Sequence, residues 1–186
     1  MVPLISIKNF YKINFLQKWK VKRIIDKNYN LYFAEKKKKG GFNFPILEDD
    51  SDFFNKLYTK FLERSRKEFD KLSISSHNST TCWCYRGNKV DMGIRQPSWW
   101  HNHSTTSTIN GVYYMEVYND GISFMVDNNI YDYLPENGEL IIFPSTLVHA
   151  AQPNTLQKYR YSVNMEITTV ESTSYLFDRV FKDGFS

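Results

Sequence analysis

The sequence predicts a mainly β protein with flanking helices, built as a sandwich or barrel, and two observations carry that prediction. From Thr80 onward, short runs rich in β-branched and aromatic residues alternate with turn chemistry: "NDG" at 119–121, "PENG" at 135–138 and "PS" at 144–145. Upstream, the stretch "DDSDFFNKLYTKFLERSRKEFDKL" (49–72) has the period of a helix instead. At 186 residues the chain has the length of one domain, enough to enclose a core and a pocket.

Taken in order, residues 1–45 read as a basic N-terminal segment that packs on or extends from the core. Residues 46–186 read as a single domain. The N-terminal segment has β-like runs at 4–7 and 31–34 around a helix near 15–25, and "EKKKKGG" (35–41) follows as a linker or exposed loop. In the 49–72 stretch, Asp50, Ser51 and Asp52 offer N-cap oxygens and favourable charge at the positive end of a helix dipole. Phe53, Leu57, Phe61, Leu62, Phe69 and Leu72 then recur at three- and four-residue steps. Such a stripe suits a helix lying against the outside of a sheet. Strands are expected near 80–86, 98–103, 109–118, 122–127, 139–143, 147–151 and 159–168.

Composition narrows the setting. No run of 18 apolar residues occurs, and lysines from Lys8 onward interrupt the place where a signal peptide has its apolar stretch. A soluble, cytoplasmic protein is expected, with no membrane partner. The Lys- and Asn-rich composition is of the kind an AT-rich genome encodes, a viral one included, in which case the compartment is the host cytoplasm. Residues 1–39 hold eleven Lys/Arg against two acids, +9 of net charge, which leaves −5 for the rest. That segment could contact nucleic acid, but a charge run alone is weak evidence, and a solvated surface is the favoured reading. Cys82 and Cys84, the only cysteines, fall on one face of a strand; they read as reduced thiols packed near the core.

The chain has four histidines, and two of them stand one residue apart in "WWHNHSTTSTINGVYYMEV" (99–117). On an extended segment His101 and His103 project to the same side, so their rings can converge on one ion. His149, in "STLVHAAQP", is the histidine available to complete a facial set of three, leaving other positions free for substrate. His77 falls in "SISSHNSTT" and reads as surface. "KYRYSVNMEIT" alternates cleanly, with Tyr159, Tyr161, Val163, Met165 and Ile167 on one side and Arg160, Ser162, Asn164 and Glu166 on the other. The polar set either faces water or lines an internal pocket; period alone does not choose. If the chain turns after Pro153-Asn154, Arg160 and Ser162 face the same interior as the histidines. A guanidinium and a hydroxyl there suit a carboxylate.

These residues resemble the 2-oxoglutarate- and iron(II)-dependent oxygenases, in which an H-x-(D/E)…H set is followed, after about ten residues, by an Arg and a Ser two further on. More narrowly, "HNH", "GVYYMEV", "NGELIIFPSTLVHA", "RYSVN" and "TTCWC" resemble an oxygenase family with an H-x-H…H motif, over residues 79–167. The resemblance implies a double-stranded β-helix (jelly-roll, cupin-like) core. It implies Fe(II) on His101, His103 and His149, and 2-oxoglutarate as co-substrate on Arg160, Ser162 and Tyr114. It implies O2 as the other reactant and hydroxylation of an unidentified substrate, with release of succinate and CO2. Where the wider superfamily has a carboxylate, this chain has His103. Asp91 or Glu116 is an alternative source of a carboxylate, and a further alternative is that His103 orients His101 instead of binding the metal. Trp99 and Trp100 either line the substrate entrance or pack. Two other functions stay open: a three-histidine, cupin-like dioxygenase without 2-oxoglutarate, and a non-catalytic β-barrel binding module. Oligomeric state is not legible.

Overall fold

A computed structural model describes residues 2, 4–36, 42–45, 52–69, 82–87, 100–105, 107–153 and 158–169. The described elements run β1 (Ile5–Ile7), α1 (Phe15–Lys36), β2 (Phe42–Pro45), α2 (Asp52–Glu68), β3 (Cys82–Arg86), β4 (Ile109–Glu116), β5 (Ile122–Val126), β6 (Asn129–Tyr133), β7 (Glu139–Pro144), β8 (Val148–Ala151) and β9 (Tyr161–Ile167). The strands form two antiparallel sheets, a larger one ordered β1-β7-β4-β9-β3-β2 and a smaller one ordered β6-β5-β8. From β4 onward the chain passes back and forth between them, the winding of a double-stranded β-helix. The mainly β fold with flanking helices is therefore as expected.

The larger sheet is covered on both faces. On its outer face Tyr113 and Met115 of β4, Val163 and Met165 of β9, and Leu140 and Ile142 of β7 pack against Val21 and Ile25 of α1 and Phe54, Leu57 and Phe61 of α2. Its inner face brings Val112, Tyr114, Ile141 and Phe143 against Ile122 and Phe124 of the smaller sheet. Strands buried on both faces lose the simple apolar-in, polar-out rhythm, and every residue of β4 and β7 is buried. The inner set of β9 is polar nonetheless, so the alternation of 159–167 marks an internal pocket rather than a wet surface.

Helix α1 begins at a capping box: Gln17 donates its backbone N–H to Asn14 Oδ1 at 2.9 Å, and Gln17 Oε1 lies 3.4 Å from the Asn14 N. Val21, Ile25 and Tyr29 form its buried stripe. Asp26 receives Arg86 Nη1 at 2.7 Å and the Tyr161 hydroxyl at 2.9 Å, which ties α1 to β3 and β9. The 31–34 run, expected as β-like, is the last part of this helix; a capped helix extends at the cost of one residue per added hydrogen bond, and 31–34 has no strand partner. The 49–72 stretch forms α2 against the sheet as expected, with Phe69 buried just beyond its end and Leu72 outside the described residues. The strand expected at 98–103 reduces to a single bridge between His101 and His149, and 98–99 lie outside the described residues. Strand β6 was not expected. It is exposed almost throughout, and it follows an Asp127-Asn128 turn with φ of 49° and 63°, the geometry of a tight hairpin. Cys82 and Cys84 are thiols rather than a disulfide, buried and on one face of β3, and burial pushes the Cys82 thiol up to about 12.

The seat of α2 depends on Gly111 of β4, where a Cβ would stand 2.4 Å from the Phe61 ring. Gly111→Ala is expected to cost about 1–3 kcal/mol through overpacking, read from the midpoint of denaturant unfolding. Lys18 and Lys22 of α1 meet Glu116 of β4 at 2.8 and 2.9 Å. Burial raises the Glu116 carboxyl, but hydrogen bonds from Lys18, Tyr118 and Lys22 outweigh it and bring it from 4.5 down to about 2. A carboxyl depressed in the folded state stabilises the fold above 4.5, and that contribution is lost as pH falls toward 2. Glu116→Gln should accordingly flatten the acid-side fall in urea midpoint between pH 5 and 2, measured against wild type.

Candidate metal centre

Three imidazoles converge at the mouth between the sheets. His101 and His149 exchange both backbone hydrogen bonds, His101 N to His149 O at 3.0 Å and His149 N to His101 O at 2.9 Å. His101 thus lies beside β8 as a rudimentary further strand of the smaller sheet. The His103 N–H donates to Ser145 O at 2.8 Å, and the His103 carbonyl accepts from Ser107 N at 2.9 Å, which fixes the second histidine on the same segment. Ring centroids are 4.5 Å apart for His101 and His149, 5.0 Å for His101 and His103, and 5.2 Å for His103 and His149. One ring nitrogen from each lies within 4.8 Å of the others.

The protonation of His149 follows from its surroundings. His149 is buried against Phe143, and its Nδ1 lies 2.8 Å from Leu147 O, so Nδ1 carries the proton and the Nε2 lone pair is left available. Burial lowers its pKa to about 3, with the Leu147 carbonyl opposing and His101 and His103 adding to the shift. It is therefore neutral at physiological pH, the state a metal ligand requires. His103 packs against Trp83, and its Nδ1 stands 2.7 Å from Glu166 Oε1. His101 is the exposed member, on the open side. The donor set fits a first-row transition metal such as iron: imidazole nitrogens, close together, with His149 held through its other ring nitrogen and a carboxylate oxygen 2.7 Å from His103 Nδ1.

The other end of the same pocket, about 100 Å³ in volume, is lined by Arg160, Ser162 and Tyr114. Arg160 precedes β9 and is buried. Its Nη1 donates to Asp120 Oδ2 at 3.0 Å, to Gly121 O at 3.0 Å and to Gln152 O at 3.1 Å, while the ring of Tyr85 lies 5.1 Å from the guanidinium. Gly121 is required there, because a Cβ would stand 2.2 Å from Tyr133 O. Ser162 and Tyr114 face each other across the β4–β9 pair. Burial raises the Tyr114 hydroxyl well above its usual range, so it stays protonated and serves as a donor. A fixed guanidinium, a hydroxyl and a phenol can together bind a carboxylate.

All six residues singled out in the sequence, His101, His103, His149, Arg160, Ser162 and Tyr114, line this one pocket. Glu116, the alternative carboxylate, does not join the histidines; it is bound by Lys18, Lys22 and Tyr118. Asp91, His77 and Trp99 lie outside the described residues, and Trp100 is half-buried. Sequence reasoning missed the contribution of Asp120, concealed in the "NDG" turn, and of Glu166 behind His103. Trp83 and Tyr85 were also missed, although they alternate with the two cysteines and so had to face inward.

No protein-family model matches the chain and no curated protein is similar to it in sequence. Solved structures do share its fold. A Pseudomonas putida prolyl-4-hydroxylase superposes with a TM-score of 0.57 at 14% identity, over 90% of this chain and 92% of that one. A Trichoplax adhaerens prolyl hydroxylase, solved with a hypoxia inducible factor peptide fragment, gives 0.59 at 13% identity, over 89% and 83%. A full-length Neurospora crassa protein in complex with alpha-KG gives 0.59 at 12% identity, over 91% and 75%. At these identities the likeness is one of fold. Among the described residues no helix is long and apolar enough to cross a membrane.

The Asp120–Arg160 pair generates a prediction that does not depend on ligand. Both side chains are at most 3% exposed, so Asp120→Ala leaves a buried cation short of its counter-charge. A loss of about 3–5 kcal/mol in unfolding free energy is expected, measured by denaturant titration.

Proposed function

We propose that this protein, whose fold is that of the 2-oxoglutarate- and iron(II)-dependent oxygenases, is itself such a dioxygenase and hydroxylates an unidentified substrate with release of succinate and CO2. The observation that carries the reading is the joining of two chemistries in one small pocket: three convergent imidazoles at one end, a buried guanidinium with two hydroxyl groups at the other. The Neurospora crassa neighbour in complex with alpha-KG lends support from the fold. His101, His103 and His149 would hold iron(II), and Arg160, Ser162 and Tyr114 the far carboxylate of 2-oxoglutarate.

Iron(II) held by the three histidines would supply the oxidising chemistry that couples 2-oxoglutarate and O2 to hydroxylation of the substrate. The chain's own residues orient and protect. His149 presents an unprotonated nitrogen, because burial keeps its ring neutral and Leu147 O takes the other N–H. Arg160 cannot swing away from the pocket, since Asp120 and two carbonyls hold Nη1. Trp83, Val112, Ile122 and Ala151 give the same pocket an apolar lining, which would limit water there. His101, the exposed ligand, marks the side from which substrate approaches.

Titration of anaerobic, metal-free protein with iron(II) and 2-oxoglutarate should produce a visible charge-transfer band that needs both additions and is lost in His149→Ala. Ser162→Ala removes one neutral hydrogen bond and should raise the 2-oxoglutarate concentration at half-saturation by about 2- to 10-fold. Iron bound without a band on adding 2-oxoglutarate, together with O2 consumption that ignores it, would replace this reading with a direct three-histidine dioxygenase.

A further inference from the structure

We propose that Glu166 is the positioning residue of the metal centre: its carboxylate, in ion-pair contact with His103 Nδ1, takes the Nδ1–H once the ring binds a metal and supplies the negative charge that a three-histidine set lacks. The inference rests on the metal-site reading above and adds a residue to it. The three convergent side chains are all imidazoles, so the neutral set leaves a divalent ion with its full charge in a partly buried site. Glu166 lies on the inward face of β9, the face of Ser162 and Asn164, opposite Asn110 of β4. Its side chain is 4% exposed, and its Oε1 stands 2.7 Å from His103 Nδ1, an ion-pair contact outside hydrogen-bond geometry.

A carboxylate is costly to bury unless something favours its charge, and an imidazole N–H made more acidic by a metal on the opposite nitrogen does so. The arrangement also selects the tautomer. With Nδ1 2.7 Å from Glu166 Oε1, His103 would bind through Nε2, as His149 would with its Nδ1 bonded to Leu147 O. The position of His103 is set independently, because its backbone is tied to Ser145 and Ser107. What Glu166 adds is the direction and the electron donation of the ring.

The test reads metal affinity rather than turnover. Cobalt(II) is titrated into wild type, Glu166→Gln, His103→Asp and the double variant, followed by its visible d–d absorption, with apo-protein unfolding curves recorded for each. Glu166→Gln should weaken cobalt binding by about 10- to 100-fold. In the His103→Asp background, where the ligand itself carries the charge and Glu166 becomes a repelling neighbour, Glu166→Gln should leave affinity unchanged or raise it. Equal weakening in both backgrounds would mark Glu166 as merely structural and overturn the proposal, as would no weakening in wild type. A measurement that needs no variant stands beside it: in zinc-loaded wild type, nitrogen-15 NMR should find the His103 Nδ1 proton retained and shielded from solvent exchange. Metal on Nδ1, or an absent proton, overturns the proposal. Failure of wild type to bind cobalt or zinc overturns the metal centre and this inference with it, whereas binding indifferent to Glu166 overturns the inference alone.

Discussion

The register of β9 between β3 and β4 is the constraint on which the rest of the molecule depends. Val163 lies between Cys84 and Tyr113, and Ser162 between Tyr85 and Tyr114. A slip of one residue would turn Val163 and Met165 into the pocket and drive Ser162, Asn164 and Glu166 into the apolar layer under the helices. That exchange is costly on both faces, since the outer layer around Val163 and Met165 is apolar and the inner one needs polar groups to bind. The helices make the constraint two-sided. Were α1 and α2 absent, the outer face would be wet and the penalty for a slip far smaller.

The same register sets the electrostatics of the pocket. Three groups in or beside it have partners that bear on direction as well as energy. Asp120 balances Arg160 and orients it, the Leu147 carbonyl fixes the tautomer of His149, and Glu166 stands behind His103. Net charge is thus kept low while donors and lone pairs point inward. A site of this kind recognises a ligand by the placement of its donors more than by a strong field. The charged contacts of α1, Asp26 with Arg86 and the two lysines with Glu116, lie on the helix side and at the strand end, where they dock the helix without entering the pocket.

Much of this was legible before the structure. Strands β3, β4, β5, β7, β8 and β9 were readable because each is bounded by turn residues whose conformational preferences are local. Helix α2 was readable from a single apolar stripe. The six candidate site residues could be named because three chemistries unusual in apolar strands, His149, Arg160 and the His101–His103 pair, recur at spacings that one antiparallel return can bring together. Strand β6 was missed because an exposed hairpin arm carries no apolar rhythm, and Asp127-Asn128 is a less distinctive turn than Asn-Gly. The helical nature of 31–34 was missed because Leu-Tyr-Phe-Ala has the composition of a strand, and the continuation of α1 through it decides otherwise.

Local order, then, belonged to the chain as written: period, turns, the capping box at Asn14 and the polar face of β9 all follow from neighbours in sequence. Which face of β9 was to be buried, and against what, was decided only in three dimensions, since period is the same for a wet face and for a lined pocket. Asp120 and Glu166 show why. They stand 40 and 63 residues from the groups they hold, and nothing in the residues around them distinguishes a buried partner from a solvated acid. Their roles arise from the pairing of distant strands, and that pairing is a property of the whole sheet.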